Sequence, residues 1–325
     1  MPQRPRILTI LVNWNGKKDT LECLASLEKV SYPRRTTIVV DNGSTDDSVL
    51  CIRSAFPNVP IFETKKNLGF AAGNNIGIAW GLTKPYEWIL LLNNDTIVAP
   101  DFLDAFLIAA KERPKAKILG AKIYRYHDPD RIDHLGGFWD ASKGEFFSHA
   151  HGQIDIATSL EEMQPVDYVC GACVFMHRLV PQTIGLLEPR FFLLWEETDY
   201  CCRARRAGFE VWTAPQAKIW HKVSVSFSGG KPHMHYFWWR SRLLWMERNC
   251  LFVQRKQLYR KVIFPELWKA LRHYLLYSLR NAFRPLDVRQ KQKTRCHLAA
   301  LIGALHYACG RFGNCPRWLA RSIPK

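Results

Sequence analysis

Over the first hundred residues, short apolar runs alternate with stretches of helical spacing. Residues 7–12, 37–40, 61–63 and 88–92 read as strands, each closed by polar or turn-forming residues. Between them the pattern predicts helices. One runs from Thr20 towards Leu27, with Asp19 and Glu22 at capping-box spacing, and one follows Ser44 and Asp47, which repeat that spacing, towards Phe56. A third opens in the stretch 67–75 and continues to Leu82, and Pro100 with Asp101 opens a fourth. A β-α-β-α-β-α-β series of this kind predicts a parallel sheet with right-handed crossovers. The run Ile89 to Leu92 is unbroken and apolar, as suits a strand buried on both faces, and it stops abruptly at Asn93, Asn94 and Asp95. Polar residues also end the first two strands, at Asn13 and Asp41. In open α/β sheets ligands bind just beyond the carboxyl ends of the strands. Neighbouring strands would therefore gather these residues on one rim, where a nucleotide fits. At Asp95 a carboxylate beside two amides can hold a divalent cation and hydrogen-bond a ribose or phosphate. An ordinary Asn/Asp turn would use the same residues.

The middle is less regular. Residues 118–150 hold short strand-like pieces, and from Asp128 to Pro165 the chain is polar and rich in His and Asp, which predicts a flexible loop. A strand is expected over 169–176. The aromatic run from Phe191 to Trp195 leads into Glu196, Glu197 and Asp199, and residues 200–207 read as a basic helix stopped by Gly208. Further strands are expected over 211–213 and 218–220, the second ending at His221. Acids before a helix favour its N-terminus, which accounts for Asp199. Glu196 and Glu197 follow an apolar wall, where burial raises a carboxylate's pKa and makes it a better general base.

Charge divides the chain. Residues 231–325 carry 20 Lys and Arg against 3 Asp and Glu, while residues 1–230 carry 26 of each, so the formal net charge of +17 lies entirely in the last 95 residues. A boundary near residue 230 follows, with one α/β domain over 1–230 and a basic, aromatic-rich helical extension over 231–325. Within the extension Leu267, Leu271, Tyr274, Leu275 and Ser278 share one helical face, with Lys269, Arg272 and Arg280 away from it. Such a helix suits the interface of an anionic membrane. No apolar run reaches bilayer-spanning length, and 7–12 is too short for a signal peptide. The ten scattered cysteines fit reduced thiols in a cytosolic protein. Cys170 and Cys173 have C-x-x-C spacing, but no second pair completes a zinc site.

Seven stretches in order resemble the family 2 glycosyltransferases, especially the bacterial rhamnosyltransferase-like branch. They are Val12 to Gly16, Val40 to Asp46, Asn67 to Asn75, Leu92 to Thr96, Gly171 to Arg178, Trp195 to Arg203 and His221 to Ser224. The resemblance implies a GT-A fold, that is, a Rossmann-like mixed α/β sheet that binds nucleotide-diphospho-sugars. It also implies an inverting transfer from a nucleoside-diphosphate sugar, with rhamnose among the candidates. The hydroxyl acceptor would be a glycan or polyprenyl-linked molecule of cell-surface glycan synthesis.

By the same resemblance Asp95 and His221 would hold Mg²⁺ or Mn²⁺. Asn13, Asp41, Asn67 and Asn93 would line the donor, Gly171, Trp195 and Glu196 the acceptor side, and Glu197 would be the base. Two positions depart from the family pattern. Asn93 stands where the first Asp of D-x-D is usual, which removes a negative charge from the cation site, and Glu197 stands where Asp is usual. The implied location is cytoplasmic and peripheral, on the inner face of the cell membrane. A sugar nucleotidyltransferase would need a Gly-rich loop with a basic residue after the first strand, which 13–16 does not supply. A nucleic-acid-binding protein would use the basic tail but leave Asp41, Asp95 and Glu197 unexplained, so no nucleic-acid partner is expected.

Overall fold

The computed structural model describes residues 4–156, 158–222, 230–283 and 287–320. The chain opens with β1 (Ile7–Asn13), α1 (Lys17–Glu28), β2 (Arg35–Asp41), α2 (Ser48–Ala55), β3 (Ile61–Glu63), α3 (Phe70–Leu82) and β4 (Trp88–Asn93). These four strands are parallel, β1 pairing with β2 and β4, and β2 with β3. Then come β5 (Thr96–Val98), α4 (Phe102–Glu112), β6 (Ala116–Arg125), β7 (Asp128–His134), β8 (Gly137–Asp140) and β9 (Glu145–Ser148). The series continues with β10 (Cys173–His177), α5 (Leu179–Ile184), α6 (Glu196–Arg206) and β11 (Glu210–His221). Among the described residues the main sheet has the order β3-β2-β1-β4-β10-β6-β11-β5, with β7 on β6.

Beyond β4 the expected parallel order gives way to a mixed sheet. β10 runs antiparallel to β4 and β6, and β11 runs parallel to β6 but antiparallel to β5. The chain reaches β10 through the long segment after β6 rather than through a crossover helix, so its direction is free to reverse.

Sequence spacing misled in several other places. Neither capping box forms: the N-cap residues of α1 and α2 are Gly16, which has no side chain to offer, and Asp47, whose side chain makes no cap hydrogen bond. Asp19 and Glu22 lie inside α1 and bind Lys222, a partner some 200 positions away that no local pattern announces. The segment expected to be a flexible loop is largely ordered. It supplies β7, β8 and β9, and Asp155 and Glu161 close on the fully buried Lys122 at 3.0 and 2.7 Å. Lys122 is buried, so leaving its charge without these partners would be costly, and the pairing ties the polar segment to β6. The strand expected over 169–176 begins only at Cys173. The two short strands predicted after Gly208 are one strand, β11, with register shifts between Glu210 and Val211 and between Ala214 and Lys218.

Period-two alternation sends the strand side chains into two cores. Ile7, Leu11, Val39, Leu90 and Leu92 face one, with Phe102 and Phe106 of α4. Leu8, Ile10, Ile38, Val40, Ile89 and Leu91 face the other, with Ile78 of α3. Each such side chain contributes about 1.5–3 kcal/mol on burial. On α3, a Cβ at Gly77 would fall 2.6 Å from Ile10 and one at Gly81 2.4 Å from Leu8, so glycine lets that helix sit directly on β1.

The chain divides into two units. The first comprises Met1–Phe138, Phe146–Glu188 and Glu197–Val223, the second Trp139–Glu145, Pro189–Glu196 and Ser224–Lys325. The second contains α7 (Pro232–Asn249), α8 (Phe252–Leu258), a π-helical turn (Tyr259–Ile263), α9 (Phe264–Phe283), α10 (Val288–Ala308) and α11 (Arg317–Ala320). α10 packs closely on α7 at Gly303, where a Cβ would lie 2.3 Å from the Tyr236 carbonyl oxygen. Arg242 of α7 is fully buried and satisfied by Glu266 at 2.7 Å, Glu145 at 3.3 Å and the carbonyls of Lys143 and Gly144.

The expected face of α9 needs correcting. Leu267, Leu271 and Tyr274 are half-buried while Leu275 and Ser278 are exposed, and the apolar line open to solvent, running from Phe264 to Phe283, shares only Leu275 with that face. Among the described residues, no helix is long and apolar enough to cross a membrane.

Candidate functional site

Strand register brings the predicted residues to one rim. Asn13 lies directly opposite Asp41 across β1 and β2, and Val12 lies opposite Asn93 across β1 and β4. The backbone N–H of Asn93 donates to the carbonyl of Ala172, which sets Gly171 at the same end of the sheet. His221, the last residue of β11, pairs with Thr96, next to Asp95. Six of the ten expected residues therefore meet at the carboxyl ends of β1, β2 and β4.

The first corner of this rim is a closed network of neutral donors around one carboxylate. Asn13 donates from Nδ2 to Asp41 Oδ1 at 2.8 Å and to Ser44 Oγ at 3.1 Å. Its Oδ1 accepts from Thr20 Oγ1 and from the Gly16 N–H. Asp41 also accepts from the Ser44 N–H at 3.0 Å and from Ser44 Oγ at 2.6 Å. The turn that presents Ser44 passes through Gly43 at φ +74, where a Cβ would lie 2.6 Å from the Lys66 backbone, so only glycine fits. Asn67 stands beside this corner, its Oδ1 accepting from the Gly69 N–H at 2.8 Å and from Asn42 Nδ2 at 3.2 Å. Asn42, which no sequence pattern singles out, ties this loop down through Asn67, the Gly69 carbonyl and the Leu68 N–H.

The second corner is charged. His221 Nε2 lies 3.1 Å from Asp95 Oδ1, and His221 Nδ1 lies 3.7 Å from Asp133 Oδ2. Burial alone pulls the imidazole pKa down, but the flanking carboxylates of Asp133 and Asp95 more than offset it and raise it to about 9. Burial in turn pushes Asp95 up, while His221 and Lys222 bring its carboxyl below the ordinary range. The amide of Asn93 lies 3.4 Å from His221 Nε2. Asp133 went unnoticed in the sequence because it sits in the polar segment taken for a loop. The signal was there in the alternation of Ile132 and His134, both buried, around it. Among the described residues no three His, Cys, Asp or Glu side chains converge as a complete metal cage. Two donor atoms about 3 Å apart do suit one small cation whose remaining positions are taken by phosphate oxygens and water. Asp95 Oδ1 and His221 Nε2 meet that spacing.

Glu196 and Glu197 open α6, whose N-terminus lies earlier than the sequence suggested. They follow two successive residues in the left-handed region, Leu194 at φ +69 and Trp195 at φ +73. Non-glycine residues held there mark backbone that the surrounding structure forces, a feature common at functional sites. Glu196 is buried and Glu197 half-buried. Burial raises the Cys201 thiol to about 12, and the charge of Glu197 adds to it. Burial likewise raises the Tyr168 hydroxyl, Cys170 and Glu197 adding their charges. Tyr168 is bonded to His134 at 2.9 Å, a histidine that burial pulls down to about 4. Of the acceptor-side residues, Trp195 packs edge-on against Trp238 at 5.2 Å. Val223 and Ser224, the end of the last family-like stretch, lie outside the described residues.

A family model described as glycosyltransferase like family 2 matches residues 5–241. The chain is a family 2 glycosyltransferase. It sits in the rhamnosyltransferase-like branch. The N-acetylglucosaminyl-diphospho-decaprenol L-rhamnosyltransferase of Mycobacterium tuberculosis is 26% identical over 272 residues, covering 71% of this chain and 85% of that protein. The dTDP-rhamnosyl transferase RfbF of Shigella flexneri is 22% identical, covering 75% of this chain and 80% of its own. Among solved structures, a mannosyltransferase of Pyrobaculum calidifontis in complex with GDP-Man and Mn²⁺ superposes with a TM-score of 0.58 at 15% identity, covering 95% of this chain and 89% of that one. GalNAc-T7 with UDP, GalNAc and Mn²⁺ gives 0.62 at 14% identity, covering 99% of this chain and 57% of that one. The fold of this glycosyltransferase is thus GT-A, as the resemblance implied.

Proposed function

We propose that this glycosyltransferase moves a sugar, rhamnose first among candidates, from a nucleoside diphosphate to a hydroxyl of a lipid-linked or polysaccharide acceptor, with inversion. The observation that carries the reading is the shared rim, where a neutral corner at Asn13 and Asp41 adjoins a charged corner at Asp95 and His221. The first corner suits a base or ribose, for which hydrogen-bond direction matters, and the second suits the diphosphate. Asp95 and His221 would hold Mg²⁺ or Mn²⁺, which supplies positive charge to the leaving diphosphate. Asn93 brings no charge of its own there, so the site is less acidic than a D-x-D pair. Asn67 and the loop it fastens sit beside the donor.

In the reaction the acceptor oxygen forms a bond to the anomeric carbon as the bond from that carbon to the diphosphate oxygen breaks. The electron pair leaves with the nucleoside diphosphate. Glu197 takes the acceptor's proton, and attack from the face opposite the leaving group inverts the centre. Gly171, Trp195 and Glu196 are assigned to the acceptor side. Holding both substrates in line supplies much of the acceleration. The relatives named above act on an N-acetylglucosaminyl-diphospho-decaprenol or use a dTDP-sugar, so dTDP-rhamnose and a polyprenyl-diphosphate-linked N-acetylglucosamine are the pair to test first. Thermal unfolding with a panel of nucleotide sugars, with and without Mn²⁺, should single out one donor. A panel in which no nucleotide sugar shifts the transition would overturn the donor reading.

A further inference from the structure

The described part of the second unit leaves one long apolar line open to solvent. Phe264, Trp268, Leu275, Leu276, Leu279 and Phe283 on α9 are 49–90% exposed. At 100° per residue they fall within about a third of the helix circumference, and from first to last they span about 29 Å. Lys269, Arg272 and Arg280 are exposed on or beside the same strip, and none has an ion-pair partner among the described residues. The single acid on this helix, Glu266, is engaged by Arg242.

We infer that this strip of α9 lies in the interfacial region of an anionic lipid bilayer, with the six side chains among the acyl chains and the three cations at the headgroups. Charge decides between occupants. A second copy of the chain would set one basic surface against another, because the whole formal charge of +17 lies in residues 231–325. An anionic bilayer is a continuous acidic plane with an apolar layer beneath, and it meets both halves of the strip at once. Trp268 fits this placement, since an indole ring can keep its N–H in the wet layer while its body inserts. The inference does not depend on the glycosyltransferase reading, and its test reads no transfer.

The full chain is sedimented with vesicles of phosphatidylcholine containing phosphatidylglycerol, and with vesicles of phosphatidylcholine alone. The expected result is binding to the first and little to the second. Leu275→Glu with Leu279→Glu should lower partitioning at least tenfold, and Leu275→Ser with Leu279→Ser should lower it severalfold, so that one variant remains if the other fails to fold. Charge reversal at Lys269, Arg272 and Arg280 should weaken binding at low salt. The intact chain should keep a larger share of its binding in high salt than the leucine variants do, because apolar insertion is not screened. No binding of the intact chain to anionic vesicles would overturn the inference, as would unchanged binding by both leucine variants. A concentration-dependent dimer on a sizing column that the leucine substitutions dissolve would also overturn it, giving the strip to a second copy.

Discussion

The two corners of the rim are built on opposite principles. Around Asn13 and Asp41 the polar atoms find partners inside the protein, and the network is neutral apart from one carboxylate. Around His221 two carboxylates flank one imidazole, and the balance rests on a proton. A preformed corner selects by geometry and changes little when its ligand arrives. A charged corner is held by an ion that another cation can replace, and metal binding there must release the proton of His221. On the proposed reading, the first recognises the nucleoside and the second responds to the diphosphate.

The largest expected effect lies outside both corners and shows whether they bind rather than react. Glu197→Gln should lower transfer by about a thousandfold or more, since an amide cannot accept the acceptor's proton, while donor protection against thermal unfolding stays as in the parent. Near-parental turnover would move the base to another residue, Glu196 first. Next, Asp95→Ala and His221→Ala should each raise the Mn²⁺ concentration needed for half-maximal donor binding by about ten- to a hundredfold, a scale seen when metal sites lose supporting groups. If chelation leaves the donor-induced shift intact, the charged corner does not work through a metal.

Asp41→Ala tests the neutral corner and should behave differently. Leaving Asn13 and Ser44 without their shared acceptor should cost about 1–3 kcal/mol of stability and weaken the donor equally at every metal concentration. A defect that added Mn²⁺ repairs would erase the contrast. The smallest effect concerns pH. Because the pKa of His221 is raised to about 9 from an ordinary 6.5, its contribution to stability is fully present below about 6.5 and is lost as pH rises through 9. Metal-free protein should therefore melt at progressively lower temperature across that interval, and His221→Asn should flatten the slope. A slope that survives the substitution belongs to another group.

The sequence disclosed most of the rim because each strand end there is a sharp switch from apolar to polar, as at Leu92 and Asn93. Such a switch survives whatever the sheet order proves to be. What it could not disclose were contacts made across long separations. Asp19 and Glu22 have capping-box spacing, but their partner is Lys222. Asp133 stands in a stretch whose composition says loop, while Lys122, buried beneath that stretch and paired with Asp155 and Glu161, holds it in place. On α9 two apolar lines share one helix, and spacing alone does not say which of them turns inward.

For anyone raising the heat tolerance of this enzyme, Leu194 and Trp195 form a marked trap. Two side-chain-bearing residues in the left-handed region cost of order 1–3 kcal/mol each, and glycine at 194 would remove much of that cost. Yet Leu194 packs against the Phe192 and Phe237 cluster, and a glycine there also frees the unfolded chain, so the relief of strain is offset by lost packing and entropy. The change also loosens the backbone one residue before Trp195 and three before Glu197, so Leu194→Gly should lower turnover without a matching gain in heat tolerance.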